Sequence, residues 1–204
     1  MQIHTIVFDL GGVLIDWNPR YLFRKVFQND SARMEYFLSE ICTASWNVQQ
    51  DAGRTFDEGC AVLKKEYPDY ADAIDAYHFR WEEMLGDANL EVVSMLKFFK
   101  ESKFPVYALT NWSKEKFPIA RNRFDFLQKF DGILVSGEVG LKKPDPKFFQ
   151  LLFQTYSFEA LGSVFIDDSL ENIEAAQQLG MHGIHFKNAS QLRKEFSELG
   201  IRGL

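Results

Sequence analysis

The sequence predicts an α/β fold: a parallel sheet covered by helices on both faces, with a helical subdomain inserted after the first strand. Three observations predict it. Short apolar runs bounded by turn residues recur along the chain, as the strands of a doubly covered parallel sheet do. Segments of helical period separate them, the alternation that builds βαβ units. The stretch from about Asn18 to Gly86 breaks this alternation with several amphipathic segments and no convincing strand. The expected organisation is a core of residues 1–17 and 87–204 and a helical cap of 18–86.

Taken in order, the first strand is Ile3–Phe8, and it ends on Asp9, with Gly11 and Gly12 close behind. In the cap, Arg20–Phe27, Ser31–Glu40, Phe56–Glu66 and Tyr70–Met84 read as amphipathic helices. Leu90–Ser102 follows with helical period, Leu90, Val93, Leu96 and Phe99 or Phe98 on one face. The second strand, Val106–Leu109, leads into Thr110-Asn111-Trp112-Ser113. The third, Gly132–Val135, precedes a loop that carries Lys142 and Lys143. Pro144 forces an extended backbone on Lys143, and Asp145-Pro146 reads as the cap and first turn of the next helix. The fourth strand, Val164–Ile166, runs into Asp167-Asp168-Ser169, a helix start, and that helix ends at Leu179 before Gly180. Gly183–Phe186 supplies a fifth strand.

Composition excludes several classes. The 204 residues are 46% hydrophobic and 25% charged, an ordinary globular profile. A net charge of −6 argues against nucleic-acid binding. No run of about 18 apolar residues is present to span a membrane, and Asp9 interrupts the apolar start that a secretory signal would need. Two cysteines, Cys42 and Cys60, are too few for a disulfide framework or a zinc site. A reducing cytoplasm is the expected location; oligomeric state is not written in the sequence.

Ligands of open parallel sheets bind beyond the carboxyl ends of the strands. Those ends carry an acid (Asp9), a hydroxyl–amide pair (Thr110, Asn111), a lysine (Lys143) and an acid pair (Asp167, Asp168). The combination suits phosphoryl chemistry. A carboxylate can attack phosphorus and hold the group covalently, and Mg²⁺ asks for a few oxygen ligands beside water and phosphate. A lysine offsets the crowded negative charge, at about 4 kcal/mol for each pairing at about 4 Å and an effective dielectric near 20. The bland readings stand beside this one: Asp9 as a turn residue, Thr110-Asn111 as the cap of a helix starting near Ser113, and Lys142-Lys143 as a solvated pair. Trp17, Arg20, Trp46 and Trp112 are candidates to line the cleft between cap and core, or to pack; His78, on a cap helix, reads as structural.

FDLGGVL, LTN, KKPDP and FIDDSLENIEAA, in that order, resemble the motifs of the haloacid dehalogenase superfamily, and the insertion after the first motif resembles its helical cap. The resemblance implies a Rossmann-like core and a Mg²⁺-dependent phosphatase acting on a small phosphorylated metabolite, such as a sugar phosphate, through an aspartyl-phosphate. It makes Asp9 the nucleophile, Thr110 and Asn111 phosphate binders, and Lys143 the charge-stabilising lysine. Asp9, the Gly11 carbonyl, Asp167 and Asp168 become the metal ligands. One position departs. The usual phosphatase motif has a second aspartate two residues after the nucleophile, as general acid and base, and here it is Gly11. Some glucose-1-phosphate-type phosphatases start similarly, and Asp16 is a candidate substitute. Two alternatives remain: a metal-independent 2-haloacid dehalogenase, against which the acid pair argues, and a non-catalytic relative that binds a phosphorylated ligand.

Overall fold

The computed structural model describes residues 3–204; Met1 and Gln2, part of the expected core, lie outside the described residues. Strands β1 (Thr5–Phe8), β4 (Val106–Thr110), β5 (Gly132–Val135), β6 (Ser163–Asp167) and β7 (His182–His185) form one sheet in the order β5-β4-β1-β6-β7. All four pairings are parallel. Alternation along β1 shows how both faces are buried: Ile6 and Phe8 join one apolar cluster, while Val7 joins another on the opposite face. Helices α6 (Leu90–Glu101) and α11 (Ala189–Glu198) pack on the first face through Phe99 and Phe196. Helices α9 (Pro146–Tyr156) and α10 (Leu170–Gln178) cover the second through Phe148, Phe149, Leu152, Ile173 and Ala176.

Two details differ from the sequence expectation. The buried stripe of α6 is Val92, Val93, Met95, Leu96 and Phe99, and Leu90 is 76% exposed. At roughly 100° per residue, Leu90 falls on the side opposite the stripe. Nor does a helix begin near Ser113. The Ser113 hydroxyl accepts from the Lys116 amide at 3.2 Å, and α7 spans Phe117–Arg123. Thr110 and Asn111 are therefore not helix caps.

Residues 20–84 hold helices α1 (Arg20–Val26), α2 (Ser31–Tyr36), α3 (Ala44–Asp51), α4 (Phe56–Glu66) and α5 (Ala71–Phe79). A wide helical turn, Phe37–Ile41, extends α2, and a tight one, Trp81–Met84, follows α5. Their starts follow local chemistry. Thr55 and Glu58 form a reciprocal capping box on α4, and the Thr43 hydroxyl caps α3 by accepting from the Trp46 amide at 3.1 Å. Aromatic rings make the centre of this helical insert, with Phe23 4.7 Å from Phe37 and Trp46 edge-on to Tyr77 at 5.1 Å. The insert is joined to the core by an antiparallel pair, β2 (Ile15–Trp17) with β3 (Leu85–Ala88). Leu85 and Gly86, expected within a strand-free region, thus lie in a strand. Hydrogen bonds pin the insert across the gap, among them Ser136 Oγ to the Asp51 carbonyl at 2.5 Å, Lys116 Nζ to the His78 carbonyl at 2.9 Å, and the Phe56 amide to Glu115 at 3.1 Å. Among the described residues, no helix is long and apolar enough to cross a membrane.

Candidate functional site

Because β1, β4 and β6 are parallel neighbours, their carboxyl ends deliver Asp9, Thr110 and Asp167 to one edge. The chain turns sharply after Asp9: the Leu14 and Ile15 amides both donate to the Leu10 carbonyl at 2.9 Å. Gly12 takes a left-handed φ of +74°, and a Cβ there would run into the Asp168 carboxylate. That glycine lets the first loop approach the acid pair. Gly11 is different, since a Cβ added to it would meet nothing within 4 Å.

Lys143 is the hub. Only 2% exposed, its ammonium sits 2.8 Å from Asp9 Oδ1 and 2.7 Å from Asp167 Oδ2. Burial works against its charge, yet Asp167 and Asp9 together outweigh burial and hold it above its ordinary value. Asp167, wholly buried, also accepts from the Ser169 amide at 2.8 Å and from Asn172 Nδ2 at 3.0 and 3.1 Å. Desolvation pushes the Asp9 carboxyl up to about 7; Lys143 opposes this, and Asp167 and Asp168 add to it. Asp168 is raised as well, by desolvation first and then by Asp167.

Carboxylate oxygens of Asp9, Asp167 and Asp168 all lie within 4.8 Å of one another. Three acids thus share one buried lysine, and their hard oxygen donors fit a divalent cation such as Mg²⁺. The Gly11 backbone lines the same cavity.

Asn111 is placed for a task different from the expected one. Its Nδ2 donates to the Lys143 carbonyl at 3.0 Å and its Oδ1 accepts from the Lys143 amide at 2.8 Å. Both polar atoms of that side chain hold Lys143, while the residue also lines the cavity. The Thr110 hydroxyl, in contrast, is buried without a hydrogen-bond partner among the described residues.

Asp9, Asn111 and Asp168 open onto a cavity of about 260 Å³. Asp9, Gly11, Gly12, Asn111 and Asp168 form its floor; Trp17, Trp81 and Trp112 wall it; Asn47 and Asp51 on α3 face it from the insert. A larger groove of about 640 Å³ adjoins it through Trp17, Asn47 and Asp51. Arg20 lines that groove, paired to Glu35 at 2.6 Å, and Trp46 is buried inside the insert with its Nε1 on the Gly59 carbonyl at 3.3 Å. Asp16 faces solvent, bonded to the Tyr21 hydroxyl, and does not line the cavity. Asn47, Asp51 and Trp81 were missed by sequence reading. Of the eight residues of α3 only Trp46 and Gln50 are buried, so it lacks the apolar stripe that marks the other helices. The available signal was the four-residue spacing of Asn47 and Asp51, which puts both on one helix face.

Fold and site together define a hydrolase with a Rossmann-like parallel-sheet core and an acidic cluster at the sheet's carboxyl edge. The chain belongs to the haloacid dehalogenase-like hydrolase family, whose family model matches residues 3–180. It is 27% identical over 193 residues to the sesquiterpene phosphatase of Aspergillus oryzae, covering 95% of this chain and 94% of that protein. It is also 27% identical over 200 residues to a drimenol cyclase of Aspergillus calidoustus; that match takes 97% of this chain but only 37% of the cyclase. Among solved structures, a haloacid dehalogenase family enzyme of Bacteroides thetaiotaomicron in complex with magnesium and inorganic phosphate superposes with a TM-score of 0.67. It shares 26% identity, over 91% of this chain and 95% of that one.

Proposed function

We propose that the protein is a Mg²⁺-dependent phosphatase that transfers the phosphoryl group of a small phosphorylated metabolite to Asp9 and then to water. The observation that carries this reading is the Lys143 ammonium, held between Asp9 and Asp167 at 2.8 and 2.7 Å, with Asp9 on the floor of an open cavity. The lysine orients the Asp9 carboxylate and draws it toward its charged, nucleophilic form. Asp9, Asp167, Asp168 and the Gly11 carbonyl would hold Mg²⁺, which supplies charge neutralisation for the phosphoryl oxygens when bound. Thr110, with a free buried hydroxyl, binds a phosphate oxygen; Asn111 acts by fixing the backbone of Lys143. Attack by an Asp9 oxygen on phosphorus forms the aspartyl-phosphate and breaks the ester bond, and water then releases phosphate and regenerates Asp9. The helical insert serves as the cap of residues 18–86, keeping bulk water from the cavity.

The names of relatives support the same reading: a sesquiterpene phosphatase, a phosphorylated carbohydrates phosphatase of Thermotoga maritima at 21% identity, and the Bacteroides enzyme bound to magnesium and phosphate. The three indole walls suit a sugar ring, and the adjoining groove, with Leu38, Cys42 and Val48 in its lining, suits a hydrocarbon chain. Sugar phosphates and isoprenoid phosphates are therefore the two classes to screen. A dehalogenase would have no use for the acid pair. The test is hydrolysis of an aryl phosphate with magnesium and with EDTA, beside an Asp9→Asn control. Turnover that requires the metal and vanishes in the control is expected; metal-independent turnover, or none, would sink the reading.

A further inference from the structure

We propose that Asp51, on the helical insert, is the general acid and base of this reaction, supplying from across the cavity the carboxyl group that Gly11 lacks. This inference rests on the phosphatase reading above. An alkoxide leaving group needs a proton as it departs, and general acid catalysis contributes typically 10²- to 10⁴-fold. Gly11 has no side chain, and the space where its Cβ would stand is open to 4 Å. Three ionisable side chains line the cavity among the described residues: Asp9, Asp168 and Asp51. The first two belong to the acidic cluster around Lys143. Asp51 stands apart from it.

Its position fits the task. Asp51 lines both the 260 Å³ cavity over Asp9 and the 640 Å³ groove beside it. It therefore sits at the junction between the phosphoryl site and the space for the organic group, where the bridging ester oxygen must lie. The end of α3 is fixed to the core by the Ser136 hydroxyl on the Asp51 carbonyl, and that same hydroxyl accepts from the Trp112 amide at 2.9 Å. Asn47, one turn earlier, donates from Nδ2 to Asp51 Oδ2 at 3.2 Å, while its Oδ1 is buried and unpartnered among the described residues. Desolvation raises the Asp51 carboxyl to about 7, against the opposing pull of the Ser113 backbone amide and Lys142. The other ionisable groups around it are Tyr77 on α5, Arg20, Glu35 and Cys42 along the groove and, across the cavity, Asp9 and Asp168. A group that titrates near neutrality can both give and take a proton.

The protons balance over two steps. As the Asp9 oxygen bonds to phosphorus and the P–O ester bond breaks, the Asp51 proton passes to the leaving oxygen and an alcohol departs. The resulting Asp51 carboxylate then takes a proton from the water that attacks the phosphoryl group. Asp9 and inorganic phosphate are released, and Asp51 is protonated again.

The experiment compares two kinds of ester in the full-length protein with magnesium. One is dinitrophenyl phosphate, whose leaving group needs no proton; the other is the alkyl ester turned over fastest from a panel of sugar and isoprenoid phosphates. For Asp51→Asn, kcat/KM, which reports the steps up to departure of the leaving group and not the shared hydrolysis of the aspartyl-phosphate, should fall about 10²- to 10⁴-fold on the alkyl ester and less than about tenfold on the aryl ester. Aryl turnover also reports that the variant is folded. In the Asp51→Asn background, Gly11→Asp should restore alkyl turnover, because that site has room for the side chain. Equal losses of kcat/KM on both esters, no loss of kcat/KM on the alkyl ester, or a wild type that cleaves the aryl ester but no alkyl ester would overturn the assignment of Asp51 and leave the phosphatase standing. A wild type inactive on every ester would overturn both.

Discussion

The two walls of the cavity are built on opposite plans. On the core wall the charged groups answer one another: Asp167 accepts from Lys143, Ser169 and Asn172, and Asn111 brackets the Lys143 backbone from both sides, while the Thr110 hydroxyl and Trp112 Nε1 are buried without partners among the described residues. On the insert wall, neither Asn47 nor Asp51 takes part in an ion pair among the described residues, and Asn47 Oδ1 is buried without a partner, as is Trp17 Nε1 on the joining strand β2. Leaving such a group unsatisfied costs about 1–3 kcal/mol, so an open wall is kept at the expense of stability. The difference teaches where each half of the function resides. The core wall holds its charges in place before anything binds and can serve any phosphoryl group. The insert wall lacks such a charge network, and Asn47 leaves one acceptor open to whatever enters.

Lys143→Met tests the core wall hardest. It strands Asp9 and Asp167 as buried acids without their cation, and removing one partner of a buried ion pair costs about 3–5 kcal/mol. Urea denaturation of the metal-free protein should show a loss of that order, with phosphatase turnover abolished. A variant as stable as the wild type would mean that the core wall is not the closed network described.

The pH dependence of stability separates the walls. Asp9 and Asp51 each rise from 3.8 to about 7 on folding, desolvation being the main cause for both. Between those values the folded protein holds protons that the unfolded chain has lost. Stability of the metal-free protein should therefore fall as pH rises from about 4 to about 7. Glu83, drawn from 4.5 down to about 2 by Arg80 and then Lys25, acts in the opposite sense, and its contribution is lost only as pH falls below that window. Magnesium should remove the Asp9 share of the slope, since the ion favours the carboxylate. The Asp51 share should survive magnesium and disappear in Asp51→Asn. Urea midpoints measured across the window, with and without the ion, read both; a slope that magnesium abolishes entirely would place Asp51 outside it.

The core wall was the legible one, and for a physical reason. Asp9, Thr110 and Asp167 terminate strands whose buried runs announce themselves, and parallel order then dictates that these ends meet. Lys143 was legible through Pro144 and the Asp145 cap, whose side chain does accept from the Lys147 amide at 2.9 Å. What was lost depends on packing between distant segments. Leu90 looked like a member of a stripe that runs on the other side of α6. Asn111 could not be seen to clamp a residue thirty-two positions away. Asp51 lies on a helix whose exposed and cavity-facing sides are both polar, so no periodicity singled it out. Asp16 drew attention by nearness in sequence, yet its β2 strand turns the carboxylate to solvent.

Asn111→Ala asks for less than Lys143→Met. It deletes two backbone-directed hydrogen bonds of about 0.5–1.5 kcal/mol each, so a loss of about 1–3 kcal/mol is expected. Turnover of the aryl ester should fall with it, because Lys143 is no longer held in place.

Asn47→Ala, on the insert wall, should have the smallest effect on stability and the most selective effect on kinetics. The substitution removes the Nδ2 bond to Asp51 at 3.2 Å, a loss of about 0.5–1.5 kcal/mol, but also an unpartnered buried oxygen whose burial costs about 1–3 kcal/mol. The two terms oppose, and the folded state should stay within about 1 kcal/mol of the wild type, or gain slightly. Inorganic phosphate, which needs only the core wall, should inhibit the variant as it does the wild type. An alkyl ester whose organic group reaches α3 should show a KM raised several-fold. If Asn47→Ala instead destabilises as much as Asn111→Ala, the insert wall is a closed network too, and its unpartnered atoms are not reserved for substrate.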